Sequence, residues 1–313
     1  MTTQQGFVHE ALFYSSPQEY VSGLVPFLTD GLAAGDPVAA AVPGPNLALL
    51  REALGDDADR VHLLDMSEEG RNPGRIIPQV LRGFADRHPD AARVRIIGEP
   101  IWAGRSAAEY PACAQHEALI NPAFEGRDVT IVCPYDTSAL DPVAIADAYV
   151  THPLIRQSGL LRGSETYAWD DLVARYNDKL EPAVGAVRYL VREPGQLAGA
   201  RHTLAASARE YGLSENRADD LKLIVTELAS NSLMHAGTPC ELNLWRDADE
   251  LVCSAADGGH LGDPLAGRRP PQDGQLSGRG LLLVNDMADL VRMYRGLDGT
   301  TIQVRLRLHD DRV

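Results

Sequence analysis

The sequence predicts two domains of different fold class, an α/β domain with a mostly parallel sheet followed by an α+β domain. Its 313 residues suit two domains of ordinary size. Short apolar segments alternate with helical stretches in the first half, whereas helices precede mostly hairpin-connected strands in the second half. We expect domains at residues 8–153 and 183–308, joined by a helical connector at residues 154–182.

The composition narrows the classes of function. A net charge of −15 argues against bulk attraction to nucleic acid or to an anionic membrane. No apolar run reaches the length of a membrane span, and the N-terminus lacks the basic and apolar regions of a signal peptide. Four cysteines are too few for a disulfide scaffold and suit a reducing compartment. We therefore expect a cytoplasmic protein that contacts neither nucleic acid nor membrane directly.

Five short segments of the first half have the apolar, β-branched composition of strands buried on both faces of a sheet. They are residues 9–14, 37–42, 61–65, 94–99 and 129–136. Helical stretches follow them; the first is capped by Ser16, has Pro17 in its first turn and ends at Gly35. Repeated strand–helix units predict a mostly parallel sheet with helices on both faces. The loop after the first strand reads YSSPQEY, so this half has no P-loop for phosphate.

The second half is expected to place a helical layer against a mixed sheet. Helices are predicted at residues 196–213 and 214–236. Strands are predicted at residues 186–193, 239–247, 250–257, 290–296 and 300–308.

The connector contains one short amphipathic helix. Tyr167, Leu172, Val173 and Tyr176 lie within reach of one face of it. We expect this apolar stripe to dock on one domain or to pair with its copy in a homodimer, which makes the connector the candidate transmitter between the domains.

One stretch of the second half, ELASNSLMHAG, combines three polar side chains at helical spacing. Glu227, Asn231 and His235 are four residues apart and stack on one face of a helix. A carboxylate can accept a proton from an attacking hydroxyl group, and an amide oxygen is a suitable ligand for Mg²⁺. Further along, Gly278 and Gly280 open a helix whose backbone N–H groups can bind phosphate. The alternative is a solvated helix face followed by glycines in turns.

The order of these motifs resembles the Bergerat-type ATPase fold of histidine kinases, gyrase, Hsp90 and anti-sigma factor serine kinases, over residues 183–308. Residues 227–231 match the N-box, residues 257–259 the first glycine box, residues 278–280 the second, and GTTIQVRLRL the closing strand. The resemblance implies ATP and Mg²⁺ as cofactors, with Glu227 as the general base and Asn231 as the Mg²⁺ ligand. The nucleotide-binding residues that it implies are Asn231, Asp257, Gly259, Gly278, Arg279, Gly280 and Thr300, with Asp257 accepting a hydrogen bond from the adenine amino group.

The lid of this site departs from the family pattern. Leu261 occupies the last position of the first glycine box, and Gly262 comes one residue later, which affects the hinge of the lid more than adenine recognition. No lysine follows position 222, so a phosphate-pairing cation must be Arg268, Arg269 or Arg279. Weak ATP hydrolysis, or nucleotide binding without catalysis, is therefore an alternative to phosphotransfer.

The compact motif ELxxNxxxHA, without a dimerisation module, is most similar to anti-sigma factor serine kinases. That resemblance implies a sigma factor and a STAS-type anti-sigma antagonist as partners, phosphorylation of a serine on the antagonist, and a homodimer. Two alternatives remain: an ATP-gated protein-binding regulator without kinase activity, and an atypical sensor histidine kinase. The nearby candidate phosphoacceptor, His202, precedes Thr203 rather than an acidic residue and is interpreted as a surface residue. His235 is interpreted as a cap of its helix at Gly237 rather than as a catalytic group.

The first half resembles the MEDS sensory domain over residues 8–153, through HEALFYSS, GEPIWAGRS, CAQHEALIN and CPYD. The resemblance implies a RecA-like fold without the phosphate loop and a role in sensing a small molecule. Together the two resemblances predict an anti-sigma factor-like serine kinase controlled by a sensory domain.

Polar residues in or just beyond the predicted strands, where open α/β sheets bind ligands, are candidates for the sensory ligand. His116 and Glu117, on one predicted helix, are added to them. The full set of candidates is His9, Glu99, Trp102, His116, Glu117, Cys133 and Tyr135. His9, His116 and Glu117 with Cys113 or Cys133 could hold a metal ion. The alternative is a buried polar network that satisfies itself, with ordinary core cysteines.

Overall fold

The computed structural model describes residues 6–270 and 278–309. The chain forms two compact units, the first ending at Tyr176 and the second beginning at Asn177. None of the described helices has the length and apolar character that crossing a membrane requires.

The first unit is built on a seven-stranded sheet, whose strand order is β3-β2-β4-β5-β1-β6-β7. The strands are β1 Val8–Tyr14, β2 Val38–Val42, β3 His62–Asp65, β4 Val94–Gly98, β5 Val129–Asp136, β6 Leu154–Gln157 and β7 Leu160–Gly163. The first six strands are parallel, and β7 runs antiparallel to β6. The five strands predicted from apolar runs are all present, and the mostly parallel sheet is confirmed.

Eight α-helical segments belong to this unit. They are α1 Pro17–Ala34, α2 Gly44–Leu54, α3 Met66–Glu69, α4 Pro73–Arg75, α5 Arg82–Ala85, α6 Tyr110–Ala123, α7 Pro142–Thr151 and α8 Trp169–Arg175. Helices α1 and α2 pack together, and α6 packs with α7 and α8. Because parallel crossovers are right-handed and the chain reverses direction along the sheet after β3, these two groups cover opposite faces.

The ends of α1 follow from its sequence. Ser16 Oγ accepts a hydrogen bond from the backbone N–H of Glu19, and Pro17 occupies the first turn. Gly35 ends the helix in the left-handed conformation, with φ of 78°. Both signals act within one helical turn, so they can be recognised without knowledge of the tertiary contacts.

Residues 154–175, which the sequence analysis assigns to the connector, add two strands and a helix to the first unit. Strand β6 pairs with β1, with Glu10 opposite Leu154. On α8, Leu172 and Val173 are buried, and the side-chain amide of Gln115 on α6 donates to the carbonyl of Val173. The apolar stripe therefore docks on the first domain, the first of the two outcomes expected for it.

The second unit places helices against a five-stranded sheet of order β11-β12-β10-β9-β8. The elements are β8 Val187–Val191, α9 Leu197–Glu210, α10 Glu215–Asn231, β9 Cys240–Asp247, β10 Glu250–Asp257, α11 Gly280–Met287, β11 Leu290–Gly296 and β12 Gly299–Arg307. The sheet is antiparallel at every pairing of its described strands, rather than mixed, and hairpins join β9 to β10 and β11 to β12. Its core joins Leu204 of α9 and Leu221 of α10 to Leu242 and Val304 of the sheet.

A buried ion pair ties the start of α10 to the end of α11. The guanidinium of Arg217 donates to the carboxylate of Asp289 and to the carbonyl oxygen of Met287, and both charged side chains are buried. The backbone N–H of Arg307 also donates to Asp289. This contact orients α10, on which the N-box residues lie.

Candidate functional sites

The second unit contains an open cavity of about 680 Å³ between α10, α11 and the ends of the sheet strands. All seven residues predicted to bind nucleotide lie on its wall: Asn231, Asp257, Gly259, Gly278, Arg279, Gly280 and Thr300. Residues that are far apart in the sequence are thus brought to one surface.

Glu227 and Asn231 lie beside the first residue of α11. A Cβ atom added to Gly280 would lie 2.4 Å from Glu227 Oε2 and 3.4 Å from Asn231 Nδ2. A larger residue at position 280 would therefore displace the Glu227 carboxylate from its place beside α11. Asn231 faces the cavity, and Glu227 lies one turn earlier on α10, half-buried against Gly280.

The helix that carries these residues does not continue as a regular α-helix to position 236. It ends at Asn231, and Ser232–Ala236 form a π-helical turn before Gly237 in the left-handed conformation. The wider turn changes the regular spacing expected for His235, which is exposed and lies on the cavity wall. π-Helical turns are frequent at functional sites. Here the turn also brings Ser232 to Asp257.

Asp257 is held in place at the end of β10. Its Oδ2 accepts a hydrogen bond from Ser232 Oγ at 2.6 Å, and its Oδ1 accepts one from the backbone N–H of Gly259 at 2.8 Å. Thr300 Oγ1 donates to the carbonyl of Gly259 at 2.8 Å and accepts from the N–H of Leu261 at 3.2 Å. The carboxylate keeps lone pairs for a further donor, so the side chain is positioned for a ligand. Ser232 was missed from the sequence; its position one residue after Asn231 gave no signal of this contact.

The start of α11 places backbone N–H groups at the cavity. Gly278 has a φ of 86°, a conformation that favours glycine, and among the described residues the side chain of Arg279, at the N-cap position, makes no capping hydrogen bond. Gly280, Leu281 and Leu282 follow on the cavity wall. Because the first N–H groups of a helix have no partner within it, this end can bind an anion.

The three arginines considered for the lid differ in their surroundings. Arg269 pairs with Asp263, and Arg268 is buried. Arg279 is exposed at the cavity. Gly267 is in the left-handed conformation, and a Cβ there would lie 2.6 Å from Leu281 Cβ, which brings this part of the lid against α11. Residues 271–277 of the predicted lid lie outside the described residues.

A second polar site lies in the core of the first unit. His9, Glu117, Cys133 and His152 place one ligating atom each within 4.8 Å of one another, and all four side chains are buried. Three of them were predicted as ligand candidates, and His152 was missed. His152 directly follows α7 and precedes β6, in the segment where the sequence showed no strand–helix alternation. His116 and Cys113 are also buried on α6, but they lie outside this group.

Burial sets the electrostatics of this site. Burial and the neighbouring imidazole of His152 lower the pKa of His9 to about 4, against the opposing effect of Glu117. Burial raises the pKa of Glu117, but the contacts with His152 and His9 outweigh it and hold this pKa below its usual range. Burial raises the pKa of the Cys133 thiol.

The other sensory-ligand candidates have structural partners or lie at the edge of the site. Glu99 accepts hydrogen bonds from Tyr14, Tyr20 and Asn46, although burial raises its pKa to about 7. The guanidinium of Arg105 stacks 3.8 Å from the ring centroid of Trp102. These two residues form contacts of the kind expected from a self-satisfied network.

Tyr135 lies next to the buried group. It is two residues after Cys133 on the same face of β5, and its ring meets that of His152 edge-on at 5.6 Å. The phenol oxygen has no hydrogen-bond partner within the described residues.

The comparisons with known proteins agree with this division of the chain. Residues 8–153 match the family model of the MEDS domain, the methanogen/methylotroph DcmR sensory domain. Residues 190–306 match the histidine kinase-like ATPase domain. The chain therefore carries a MEDS domain followed by a histidine kinase-like ATPase domain. Among curated proteins, no sequence matches this chain.

Two solved structures are similar to part of the chain. The RsbU and RsbW domains of a Mycobacterium tuberculosis protein are 15% identical, with a TM-score of 0.31, and the match covers 40% of this chain and 32% of that one. The chain thus spans about a third of the length of that mycobacterial structure. The SiaB–SiaC complex of Pseudomonas aeruginosa is 14% identical, with a TM-score of 0.31, over 38% of this chain and 88% of the matched one.

Proposed function

We propose that this protein is an anti-sigma factor-like, ATP-dependent serine kinase whose activity is controlled by its N-terminal sensory domain. Its substrate would be a STAS-type antagonist, its binding partner a sigma factor, and its working form a homodimer. The ATPase domain would comprise residues 183–308 and the sensory domain residues 8–153. The observation that carries the proposal is the convergence of Asn231 and Asp257 with the start of α11 at one cavity, with Glu227 packed beside Gly280 at its edge.

The residues around the cavity fit Mg-ATP. Asp257 is already fixed by two donors and retains acceptor capacity for the adenine amino group. The backbone donors at the start of α11 suit phosphate, and the glycines at 278 and 280 allow close approach of the backbone. The amide oxygen of Asn231 is a suitable Mg²⁺ ligand. ATP, when bound, supplies the phosphoryl group for transfer.

Within this arrangement each side chain has a separate role. Glu227 would accept the proton of the attacking serine hydroxyl at its carboxylate, because it lies one turn from Asn231 on α10. Asn231 would orient the metal, and Arg279 would add positive charge beside the phosphates. His202 on α9 precedes Thr203 rather than an acidic residue, which does not favour the histidine kinase alternative.

The proposal is tested by incubating the protein with Mg-ATP and STAS-type proteins from the same genome, then locating phosphoserine by mass spectrometry. We expect Glu227→Gln to lower transfer by about 10²–10⁴-fold, the usual contribution of a general base, while ATP affinity stays near that of the wild type. Glu215→Gln, at the exposed start of the same helix, is the matched control and should transfer normally.

Other results would select the alternatives. Normal transfer by Glu227→Gln would reject the base assignment. Tight ATP binding that alters capture of a partner, without any phosphoserine, would support an ATP-gated binding regulator. An acid-labile phosphate on the protein itself would support a histidine kinase.

A further inference from the structure

The four buried side chains of the first unit are spaced as the ligands of one metal ion. His152 Nε2 lies 3.1 Å from Glu117 Oε2, His9 Nε2 lies 3.6 Å from the same oxygen, and Cys133 Sγ lies 3.5 Å from His9 Nε2. Tetrahedral zinc, with bonds of about 2.0–2.3 Å, places its ligand atoms roughly 3.2–3.8 Å apart. These three separations lie close to that range, and all four ligand atoms lie within 4.8 Å of one another.

Hydrogen bonds at the far side of both imidazoles determine which nitrogen faces the group. Asn121 donates its Nδ2 to the carbonyls of Ala118 and Thr151, so its Oδ1 faces His9 Nδ1 at 3.2 Å and can only accept. His152 Nδ1 lies 2.9 Å from the carbonyl oxygen of Ala148, which also only accepts. Each Nδ1 therefore carries the proton. Each Nε2 is thereby left to point at the centre of the group, the orientation that partners outside a metal site commonly impose on histidine ligands.

The polar atoms at the centre face one another. His152 Nε2 lies 3.1 Å from Glu117 Oε2 in a buried histidine–carboxylate contact, and within the described residues neither the carboxylate oxygens of Glu117 nor Nε2 of His152 has any further hydrogen-bond partner. Glu117 is 1% exposed and His152 is fully buried, so water does not compensate from outside. Because each Nδ1 already carries a proton, the chain alone can satisfy this buried carboxylate only by placing a second, charged proton on an imidazole, and native cores satisfy such groups. A divalent cation at the centre would satisfy the carboxylate, both Nε2 atoms and the cysteine sulfur together.

The charges also balance around a divalent ion. Glu117 and the Cys133 thiolate carry one negative charge each, and the two neutral imidazoles carry none. A dication therefore gives a site of zero net charge, which can be buried without an uncompensated charge. A coordinated thiol loses its proton to bulk water, so no further acceptor is needed.

We propose that His9, Glu117, Cys133 and His152 hold one first-row divalent metal ion, Zn²⁺ in the first instance, in the core of the sensory domain. The ligand set of two nitrogens, one sulfur and one oxygen suits this class and disfavours Ca²⁺ and Mg²⁺, which bind through oxygen ligands. The site joins β1, α6, β5 and the residue after α7, so the metal stabilises the contact between these elements. Because the ligands are buried, the ion enters during folding and exchanges slowly.

The test uses the full-length protein expressed in zinc- or cobalt-supplemented minimal medium and purified without chelator. The probes are Zn²⁺ and Co²⁺ themselves. We expect one metal ion per chain by elemental analysis. The cobalt form should show the visible absorption of four-coordinate Co²⁺ and a thiolate-to-cobalt charge-transfer band in the near ultraviolet.

Variants assign the ligands. Cys133→Ser should lose the charge-transfer band, whereas Cys113→Ser, a buried cysteine of the same domain outside the group, should keep it. His152→Gln should change the visible spectrum or lose the metal while Cys133 remains in place.

Wild-type protein without metal from either medium overturns the proposal, as does a charge-transfer band that survives in Cys133→Ser. Both outcomes can be read from wild type and one variant, and the wild-type result stands if a variant fails to fold. The assay contains no ATP, so it is independent of whether the second domain is a kinase.

Discussion

Two carboxylates, Asp257 in the ATPase domain and Glu117 in the sensory domain, occupy opposite environments. Asp257 stands at an open cavity and accepts hydrogen bonds from Ser232 and Gly259. Glu117 is sealed in the core, where its neighbours are the imidazoles of His152 and His9. A carboxylate held by neighbouring donors at an open cavity is positioned for a ligand that arrives from water, whereas a sealed carboxylate needs a positive charge that is buried with it.

This contrast separates two kinds of energetic effect. Groups at an open cavity remain hydrated until a ligand binds, so changing them should alter affinity more than folding. Sealed groups lose water on folding, so changing them should alter the free energy of unfolding directly. The following predictions test whether burial, rather than the domain, decides which effect dominates.

The largest expected effect concerns a sealed ion pair in the open-cavity domain. Arg217→Ala removes the positive charge that pairs with the buried carboxylate of Asp289, which should lower the free energy of unfolding by about 3–5 kcal/mol. Urea denaturation of wild type and variant measures this. Arg209→Ala removes an exposed pair with Glu215 and should leave the midpoint nearly unchanged. Equal losses in the two variants would break the link between burial and stability.

The second effect concerns Glu99, whose pKa burial raises from 4.5 to about 7. The folded state then binds the proton more tightly than the unfolded chain. Stability from this group is present below pH 4.5 and is lost as the pH rises through about 7, by about 3 kcal/mol in all. The wild type should lose stability relative to Glu99→Gln between about pH 5 and pH 8. A stability difference that does not vary with pH would contradict this assignment.

The third effect concerns binding. Asp257→Asn should lower the affinity for Mg-ATP by about 1.5–3 kcal/mol, because it replaces a charge-assisted hydrogen bond with a neutral one. Titration calorimetry measures the affinity, and the melting temperature without nucleotide should change little. Asp249→Asn, an exposed aspartate in the turn after β9, is the control. Equal ATP affinity of wild type and Asp257→Asn would show that this carboxylate does not accept a hydrogen bond from adenine.

The smallest effect concerns communication between the domains. If the sensory domain controls the ATPase domain, residues 177–313 alone should differ from the full chain in ATP affinity or partner binding by at least about 1 kcal/mol. A sensor can shift its neighbour only by as much as its ligand discriminates between two states. Identical affinities, with and without added Zn²⁺, would mean that the two domains act independently.

Much of the ATPase cavity could be predicted from sequence because its motifs are short and local. Glu227 and Asn231 are one helical turn apart, which can be read from their spacing. Glycines at positions 278 and 280 predict a turn in which the backbone adopts conformations, or approaches neighbours, that other residues disfavour. The strands of the first unit could also be predicted from sequence, since continuous apolar runs predict strands buried on both faces. The π-helical turn at residues 232–236 was not predictable, since its sequence continues the helical pattern.

The fold classes, the nucleotide motifs and the ends of α1 were determined by the sequence itself, because neighbouring residues decide local backbone preference. Tertiary structure alone decided that His152 joins His9, Glu117 and Cys133, since His9 and Cys133 are 124 positions apart. It also decided that Glu99 lies in a satisfied network and that β6 extends the first sheet. Such contacts depend on the free energy of burying and pairing distant groups together, and no spacing along the chain records that energy.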